Sequence, residues 1–242
     1  MKQRTLNVRV WRGGADGALQ RFDVPQRESQ TVLDVVTWIQ RHADPTLSYR
    51  FSCRVGMCGS CAMVVNGQPR WTCRTHVAGL GGTELTIEPL RNLPIIKDLA
   101  TDMAPFFDKW AEARGRFVPP PAPRTPTENG FARIEPAGRE RRAADAGIEC
   151  IGCGICYAAC DTVTWNSDYL GPAALNRAWT LVNDRRDGGG AERLAAVAGN
   201  GGCQSCHSHQ SCQELCPKAL SPTASVAGLK RTVTLAALRG EI

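Results

Sequence analysis

Residues 53–61 read Cys53-Arg-Val-Gly-Met-Cys-Gly-Ser-Cys61, and a fourth cysteine, Cys73, follows downstream. The N-terminus lacks the apolar core of an export signal, so we expect a reducing compartment in which thiols persist. Thiolates are soft ligands that suit zinc or the iron of iron–sulfur clusters. Gly56 and Gly59 allow the backbone to approach the sulfurs and to direct N–H groups at them. The stretch therefore predicts a metal-binding loop.

The spacing of this first run favours iron over zinc. Zinc ribbons usually use two separated Cys-x2-Cys knuckles, whereas Cys-x4-Cys-x2-Cys is the spacing of plant-type [2Fe–2S] ferredoxins. We therefore predict a [2Fe–2S] cluster with three ligands from the loop and one from the far side of a hairpin: Cys53, Cys58, Cys61 and Cys73.

The sequence around the loop predicts a small domain of strands packed about one helix. Alternating apolar residues indicate strands at 6–10, 20–24, 62–65 and 85–87, and Asn66-Gly67 indicates a tight hairpin turn. A helix is expected from Thr31, with Asp34 as its capping partner. This order matches a β-grasp ferredoxin domain, which we place at residues 1–103.

Two further cysteine runs lie in the C-terminal half. They read Cys150-x2-Cys153-x2-Cys156-x3-Cys160 and Cys206-x5-Cys212-x3-Cys216-Pro217. The first has the spacing of bacterial two-cluster ferredoxins, in which the fourth cysteine of a run serves the other cluster. We therefore predict two more ligand sets. The second set, for a [4Fe–4S] cluster, is Cys150, Cys153, Cys156 and Cys216, and the third set is Cys160, Cys206 and Cys212.

The third set is one thiolate short. His209 stands where a regular run would place another cysteine, and the missing thiolate predicts a [3Fe–4S] cluster because nothing holds a fourth iron. Imidazole also binds iron, so His209 stays open as an alternative ligand. Cys203 is outside the pattern, and we interpret it as a buried bystander.

Length and composition allow two domains, and they give no reason to expect nucleic-acid binding. The chain has 242 residues, a net charge of +6 and 6% aromatic residues, so metal–thiolate bonds are expected to supply part of the folding energy. Basic residues are scattered apart from the cluster at 139–142. No apolar run approaches the roughly 18 residues that a membrane span needs.

The second half is expected to be helical. The proline-rich stretch 118–126 predicts a stiff, extended joint, inside a surface loop that we place at 119–145. After it, apolar periodicity indicates helices at 151–159, from Pro172 to Leu181, at 191–198 and at 224–238. We therefore expect residues 104–242 to form an all-α two-cluster ferredoxin domain, which makes the chain α+β as a whole.

With these motifs in place, the chain resembles the iron–sulfur subunit of succinate dehydrogenase and fumarate reductase, the respiratory complex II type. The resemblance covers nearly the whole chain. It implies electron flow along [2Fe–2S], [4Fe–4S] and [3Fe–4S] clusters between a flavin and a quinone. Its carriers are Leu47-Ser-Tyr-Arg-Phe-Ser-Cys-Arg-Val-Gly-Met-Cys-Gly-Ser-Cys61, Cys150-Ile-Gly-Cys-Gly-Ile-Cys-Tyr-Ala-Ala-Cys160, Tyr169-Leu-Gly-Pro-Ala-Ala174 and Cys212-Gln-Glu-Leu-Cys-Pro-Lys218.

The resemblance also implies partners. A flavoprotein subunit would carry FAD and perform the succinate or fumarate chemistry, since this chain has no Gly-x-Gly-x-x-Gly fingerprint. Membrane anchor subunits, with or without haem b, would bind quinone, and Trp165 and His207 are the residues implied to reach it. Packing at a membrane-facing surface is the alternative role of Trp165. The chain is then a peripheral protein on the cytoplasmic face of the inner or plasma membrane.

The sequence departs from the family pattern at two positions, and two other functions are the alternatives. Asp161 stands where the family often has proline, and His209 where many members have an apolar residue. One alternative function is the iron–sulfur subunit of a soluble, thiol-linked fumarate reductase. Such subunits commonly carry an added C-terminal domain rich in cysteine pairs, and we expect none here because about 26 residues follow Cys216. The other is a cluster-based redox sensor, for which the sequence offers no recognition helix.

Overall fold

The computed structural model describes residues 4–122, 127–128 and 130–242. Its contacts divide the chain into two compact units. Unit 1 contains residues up to Met103 together with Ile151–Ala159, and unit 2 contains Ala104–Cys150 and Cys160–Ile242. The predicted proline-rich joint at 118–126 lies partly outside the described residues.

Unit 1 is built on a mixed sheet with the strand order β2-β1-β5-β3-β4. Strands β1 and β5 run parallel, and the other neighbouring pairs run antiparallel. The inward residues of β1 are Leu6, Val8 and Val10, and all three are fully buried, so the predicted alternation is confirmed. The strands are β1 Thr5–Arg12, β2 Ala18–Pro25, β3 Ala62–Val65, β4 Gln68–Trp71 and β5 Glu84–Glu88.

One helix, α1 (Val32–His42), supplies the apolar face that packs with the sheet residues. Thr31 caps it: its hydroxyl accepts the N–H of Asp34, and the Asp34 carboxylate accepts the N–H of Thr31. The predicted capping box is therefore confirmed, and this sheet with its helix has the arrangement expected of a β-grasp domain.

Asp98 ties together separate loops of unit 1. It lies between the short strands β6 (Ile95–Lys97) and β7 (Ala100–Thr101), which the sequence did not predict. Its carboxylate accepts the N–H groups of Gly13 at 2.7 Å and Ser48 at 2.8 Å, and Arg12 lies 3.2 Å away. Burial raises the pKa of Asp98, but these N–H donors and Arg12 outweigh burial and hold it below its usual value.

Helices dominate the described secondary structure of unit 2, and the short helix α4 (Ile155–Ala158) belongs to unit 1. Helices α6 and α9 pack together, and α3 and α7 contact them. The unit 2 helices are α2 Ala104–Glu112, α3 Arg139–Ile148, α5 Asp161–Trp165, α6 Gly171–Val182, α7 Gly190–Ala198, α8 Ser211–Glu214 and α9 Pro222–Leu238.

The structure corrects part of the predicted loop at 119–145. Helix α3 begins at Arg139, inside that loop. Its N-cap is Gly138, which has no side chain that could accept a capping hydrogen bond. The sequence therefore carries no capping signal at this start. At 151–159 the expected helix is confined to Ile155–Ala158, because positive φ angles at Gly152 and Gly154 interrupt it.

Among the described residues, no helix combines the length and the apolar character that crossing a bilayer requires.

Candidate functional site

The first cysteine loop directs backbone N–H groups at a sulfur. Cys53 Sγ accepts the N–H of Met57 and that of Cys58, both at 3.3 Å. N–H donors, with Val55 the strongest followed by Met57 and Cys58, lower the pKa of Cys53 to about 6. The loop therefore favours a thiolate at this position, which is the form that binds metal.

Cys61 and Cys73 are the buried members of the first cysteine set. Both pack with Leu33 of α1, and Tyr49 and Trp71 cover them in part. Burial, followed by the hydrogen bond with Cys61, raises the pKa of Cys73 to about 11, and Cys53 also acts on it. Cys53 is in turn hydrogen-bonded with Cys58. The structure thus brings all four predicted cysteines of the first set together.

Gly59 lies against the second cysteine run. Its φ is +70°, and a β-carbon placed there would lie 2.4 Å from Cβ of Cys153. Gly59 and Cys153 both belong to unit 1. No side chain fits between these loops, so glycine is needed here for a close approach that the sequence did not indicate.

The remaining cysteines of the predicted [4Fe–4S] set occupy turns and helix ends. In unit 1, Cys153 lies between two residues of positive φ, and Cys156 lies in α4. In unit 2, the N–H of Cys150 bonds to the carbonyl of Gly147 at 3.2 Å, after α3. Cys216 follows α8, and its N–H bonds to Gln213. All four side chains are partly exposed.

Cys160, Cys206 and Cys212 line one cavity of unit 2. Burial raises the pKa of Cys160 first, with a further contribution from Cys206. Burial likewise raises the pKa of Cys212, and both other cysteines add to it. Three thiols that lie this close to one another fit the predicted three-thiolate set.

The structure adds neighbours of this cavity that the sequence analysis did not single out. Tyr169 is buried, and burial first, then the charges and hydrogen bonding of these cysteines, raises its pKa. Thr223 Oγ1 lies 3.5 Å from Cys212 Sγ, and Lys230 Nζ donates to the Cys206 carbonyl at 2.7 Å. Tyr169 is the first residue of the motif Tyr169-Leu-Gly-Pro-Ala-Ala174, and the sequence gives no other indication of its position at the cavity. Thr223 and Lys230 reach the site from α9, which sequence spacing does not reveal.

Trp165 and His207 are exposed near the mouth of this cavity. Trp165 is 68% exposed at the end of α5. Its ring meets that of His209 edge-on, with centroids 5.7 Å apart, and His209 lies 6.1 Å from His207. His209 itself lines the cavity with the three cysteines. The structure thus brings both sequence-implied residues into one aromatic group with His209.

Cys203 lies beside the cavity and does not line it. It is fully buried at the start of a short 3-10 turn, Cys203–Ser205. Burial raises its pKa. Within the described residues, no three His, Cys, Asp or Glu side chains converge on a single-ion site.

Two protein-family models match the chain, one over its N-terminal part and one over its C-terminal part. A model described as a 2Fe-2S iron-sulfur cluster binding domain matches residues 6–108, and a model described as a 4Fe-4S dicluster domain matches residues 149–221. Fold and site together define an α+β iron–sulfur protein of electron transfer, with a [2Fe–2S] β-sheet domain followed by a helical dicluster domain.

Relatives narrow this class to one family. The chain is 36% identical over 220 residues to a fumarate reductase iron-sulfur subunit of Mycobacterium tuberculosis (strain CDC 1551 / Oshkosh), covering 91% of this chain and 87% of that one. It is 36% identical over 200 residues to a succinate dehydrogenase iron-sulfur subunit of Paracoccus denitrificans, covering 82% and 74%. The chain belongs to the succinate dehydrogenase/fumarate reductase iron–sulfur subunit family, and it is an electron-transfer subunit of such an oxidoreductase.

A solved structure shares the fold over almost the whole length. A chain of the Mycobacterium smegmatis Sdh1 complex in the apo form superposes with a TM-score of 0.82 and 27% identity. The match covers 96% of both chains. The α+β architecture predicted from the sequence is therefore confirmed.

Proposed function

We propose that this chain carries single electrons between the FAD of a flavoprotein subunit and quinone bound at a membrane anchor. The observation that carries the proposal is the meeting of Cys160, Cys206 and Cys212 in one cavity, next to the exposed ring of Trp165. A redox site beside an exposed aromatic surface with hydrogen-bonding groups suits electron delivery to a quinone.

Three clusters fit the available thiols. The first set can hold [2Fe–2S], because its sulfurs lie together and receive backbone N–H groups. The second set, Cys150, Cys153, Cys156 and Cys216, rests on its ferredoxin spacing. The third set has three thiolates, which is the donor number of [3Fe–4S]. These clusters supply one-electron transfer, the chemistry that the side chains of this chain cannot perform.

The surrounding residues are proposed to tune the sites. N–H groups that point at Cys53 and the hydroxyl of Tyr169 near Cys206 stabilise negative charge on sulfur, which raises a reduction potential. Burial of Cys61 and Cys73 keeps water away from their side of the first site, and the loop with Cys53 and Cys58 covers the outer side. Lys230 holds the backbone of Cys206 through its carbonyl.

Trp165 and His207 are proposed to bind the quinone. An indole N–H and an imidazole can each donate a hydrogen bond to a quinone oxygen. Both side chains are exposed in unit 2, as a partner surface requires. The chain would then bind peripherally at the cytoplasmic face of the inner or plasma membrane, on anchor subunits with or without haem b.

Iron analysis and low-temperature EPR of the purified complex test the cluster assignment. We expect about nine iron atoms per chain, the sum over the three cluster types. We also expect a three-iron signal when oxidised and a two-iron signal when reduced. Cys206→Ser should remove the three-iron signal alone, and the matched control Cys203→Ser should keep it. Zinc in place of iron, or equal effects of both variants, would contradict the assignment.

Co-purification tests the partners. The chain should bring down a larger flavoprotein and small hydrophobic subunits, and Trp165→Leu should lower quinone reduction more than reduction of an artificial soluble acceptor. A chain that carries all three clusters yet purifies without any partner would contradict the membrane assignment.

A further inference from the structure

The second half contains the same cysteine-loop geometry twice. The run Cys206, His209, Cys212, Cys216 repeats the spacing of Cys150, Cys153, Cys156, Cys160 at one constant offset. In this alignment His209 takes the place of Cys153, which is a ligand in the proposed second set.

The backbone repeats along with the spacing. Cys153 is flanked by Gly152 and Gly154 with φ of +62° and +78°, and His209 is flanked by Ser208 and Gln210 with φ of +59° and +68°. In both runs the second of these flanking residues is the N-cap of a four-residue helix, α4 or α8.

Ser208 and Gln210 hold this left-handed conformation without being glycine. Such residues lie in a disfavoured region, at a cost of about 1 kcal/mol or more each. The loop around His209 thus keeps the geometry of a ligand loop although its cysteine is replaced.

His209 also lies at the cavity of the three-thiolate set. It lines the cavity formed with Cys160, Cys206 and Cys212, and these are the three thiols proposed for the terminal cluster. A neutral imidazole is an established iron ligand, including in iron–sulfur centres. We propose that His209 is the donor for a fourth metal ion, Fe2+, at the corner of the terminal cluster that lacks a thiolate.

This inference rests on the proposed function, because it assumes the three-iron cluster. Binding balances without a further reactant: the reduced three-iron cluster takes up Fe2+, and an imidazole lone pair completes its coordination. No electron or proton leaves. The electron that reduces the cluster beforehand is supplied by the relay itself.

The test uses the intact complex, dithionite and 57Fe2+ alone as the probe. After reduction, iron addition and desalting, the wild type should lose the three-iron EPR signal on reoxidation, and the added 57Fe should give a Mössbauer signal typical of a four-iron cluster. After one-electron reduction of that cluster, pulsed EPR should show 14N coupling. In His209→Leu the apparent affinity for Fe2+ should fall about tenfold or more. His209→Cys should take up iron without 14N coupling, and the control His76→Leu, on an exposed histidine of unit 1, should behave as wild type.

The outcomes separate this inference from the proposed function. A wild-type three-iron signal that survives Fe2+ as it does in His209→Leu overturns the fourth-metal site and leaves the relay intact. Uptake that is equal in wild type and His209→Leu, without 14N coupling, also overturns it. Absence of all cluster signals from the complex would remove both proposals.

Discussion

At the residue scale, Gly59 allows the first cysteine loop to lie directly against the loop of Cys153, because its side chain is a single hydrogen atom. Gly59→Ala should destabilise unit 1 and weaken the two-iron signal, because the new methyl would lie 2.4 Å from Cβ of Cys153 at a φ of +70°. Gly67→Ala is the matched control, with a φ of +79° and open space around it. We expect about 1 kcal/mol of strain in the control and a clearly larger loss at Gly59. Thermal unfolding and EPR of both variants measure this, and equal losses would contradict it.

The lowered pKa of Cys53 predicts its reactivity before the cluster is inserted. Because its pKa is about 6, Cys53 is a thiolate above that pH and a less reactive thiol below it. In chain prepared anaerobically without iron, iodoacetamide should label Cys53 first, with a rate that falls as the pH drops through about 6. Cys73, with a pKa of about 11, should react slowly over the same range. Peptide mass spectrometry gives both rates, and a midpoint near that of an ordinary thiol would count against the loop geometry.

Replacing Tyr169 should change the reduction potential of the terminal cluster and leave its cysteine ligands unchanged. Tyr169→Phe removes a hydroxyl that hydrogen-bonds with Cys206 and should lower the reduction potential of the terminal cluster. The expected size is roughly 40 mV, the one-electron equivalent of a hydrogen bond of about 1 kcal/mol. An EPR redox titration measures it. Tyr49→Phe, in unit 1, should leave this potential unchanged, and an upward shift in Tyr169→Phe would be inconsistent with the contact.

At the element scale, a buried ion pair fastens α7 to the chain that follows α2. Arg193 and Asp187 are both 0% exposed, with Nη1 and Oδ1 2.6 Å apart. Arg193 also donates to the carbonyls of Arg114 and Arg116, and Asp187 accepts the N–H of Val118 at 2.9 Å. The pair is therefore surrounded by hydrogen bonds, as a buried charge requires.

Breaking this pair should destabilise unit 2 strongly. Arg193→Met leaves the Asp187 carboxylate buried without its counter-charge, at a cost of about 3–5 kcal/mol. The control Arg239→Met removes an exposed arginine and should change stability by no more than about 0.5 kcal/mol. Thermal unfolding of the two complexes compares them directly, and similar melting temperatures would show that the pair contributes little.

Elements with local signals were predictable, and those fixed by distant contacts were not. The Thr31 capping box and the Pro172 start of α6 are readable in the sequence and were confirmed. Helix α3 was missed because its start carries no cap. The Arg193 pair, the Gly59 contact and the reach of Lys230 all join residues far apart in sequence, and no spacing rule encodes such approaches. The cysteine sets were readable because metal ligation imposes fixed spacing, and their assignment to clusters stays a proposal.

At the scale of the whole molecule, the two units should depend on metal to different degrees. Unit 1 has a continuous apolar core between its sheet and α1. In unit 2, α5 and α8 are five and four residues long, and isolated helices shorter than about 12 residues are marginal in water. We therefore expect metal binding by the cysteines next to α5 and α8 to hold these two short helices in place.

Removing iron should expose this difference. After anaerobic chelation, limited proteolysis should cut first around residues 199–221, while the segment that carries β1 and β2 should survive longest. Mass spectrometry of the early fragments identifies the sites, and the untreated complex is the control. First cleavage within 5–25 would contradict the expected order of metal dependence.

The bare α-carbon at position 59 also bears on how quickly charge moves through the chain. Tunnelling between redox centres slows steeply as the gap between them widens. In the proposed relay, the loops that hold two neighbouring clusters are in contact at Gly59 and Cys153. Any side chain at this position would act as a spacer between donor and acceptor. In the proposed relay, the smallest amino acid thereby helps set the rate of electron transfer between the first two clusters, although it ligates no metal and carries no charge.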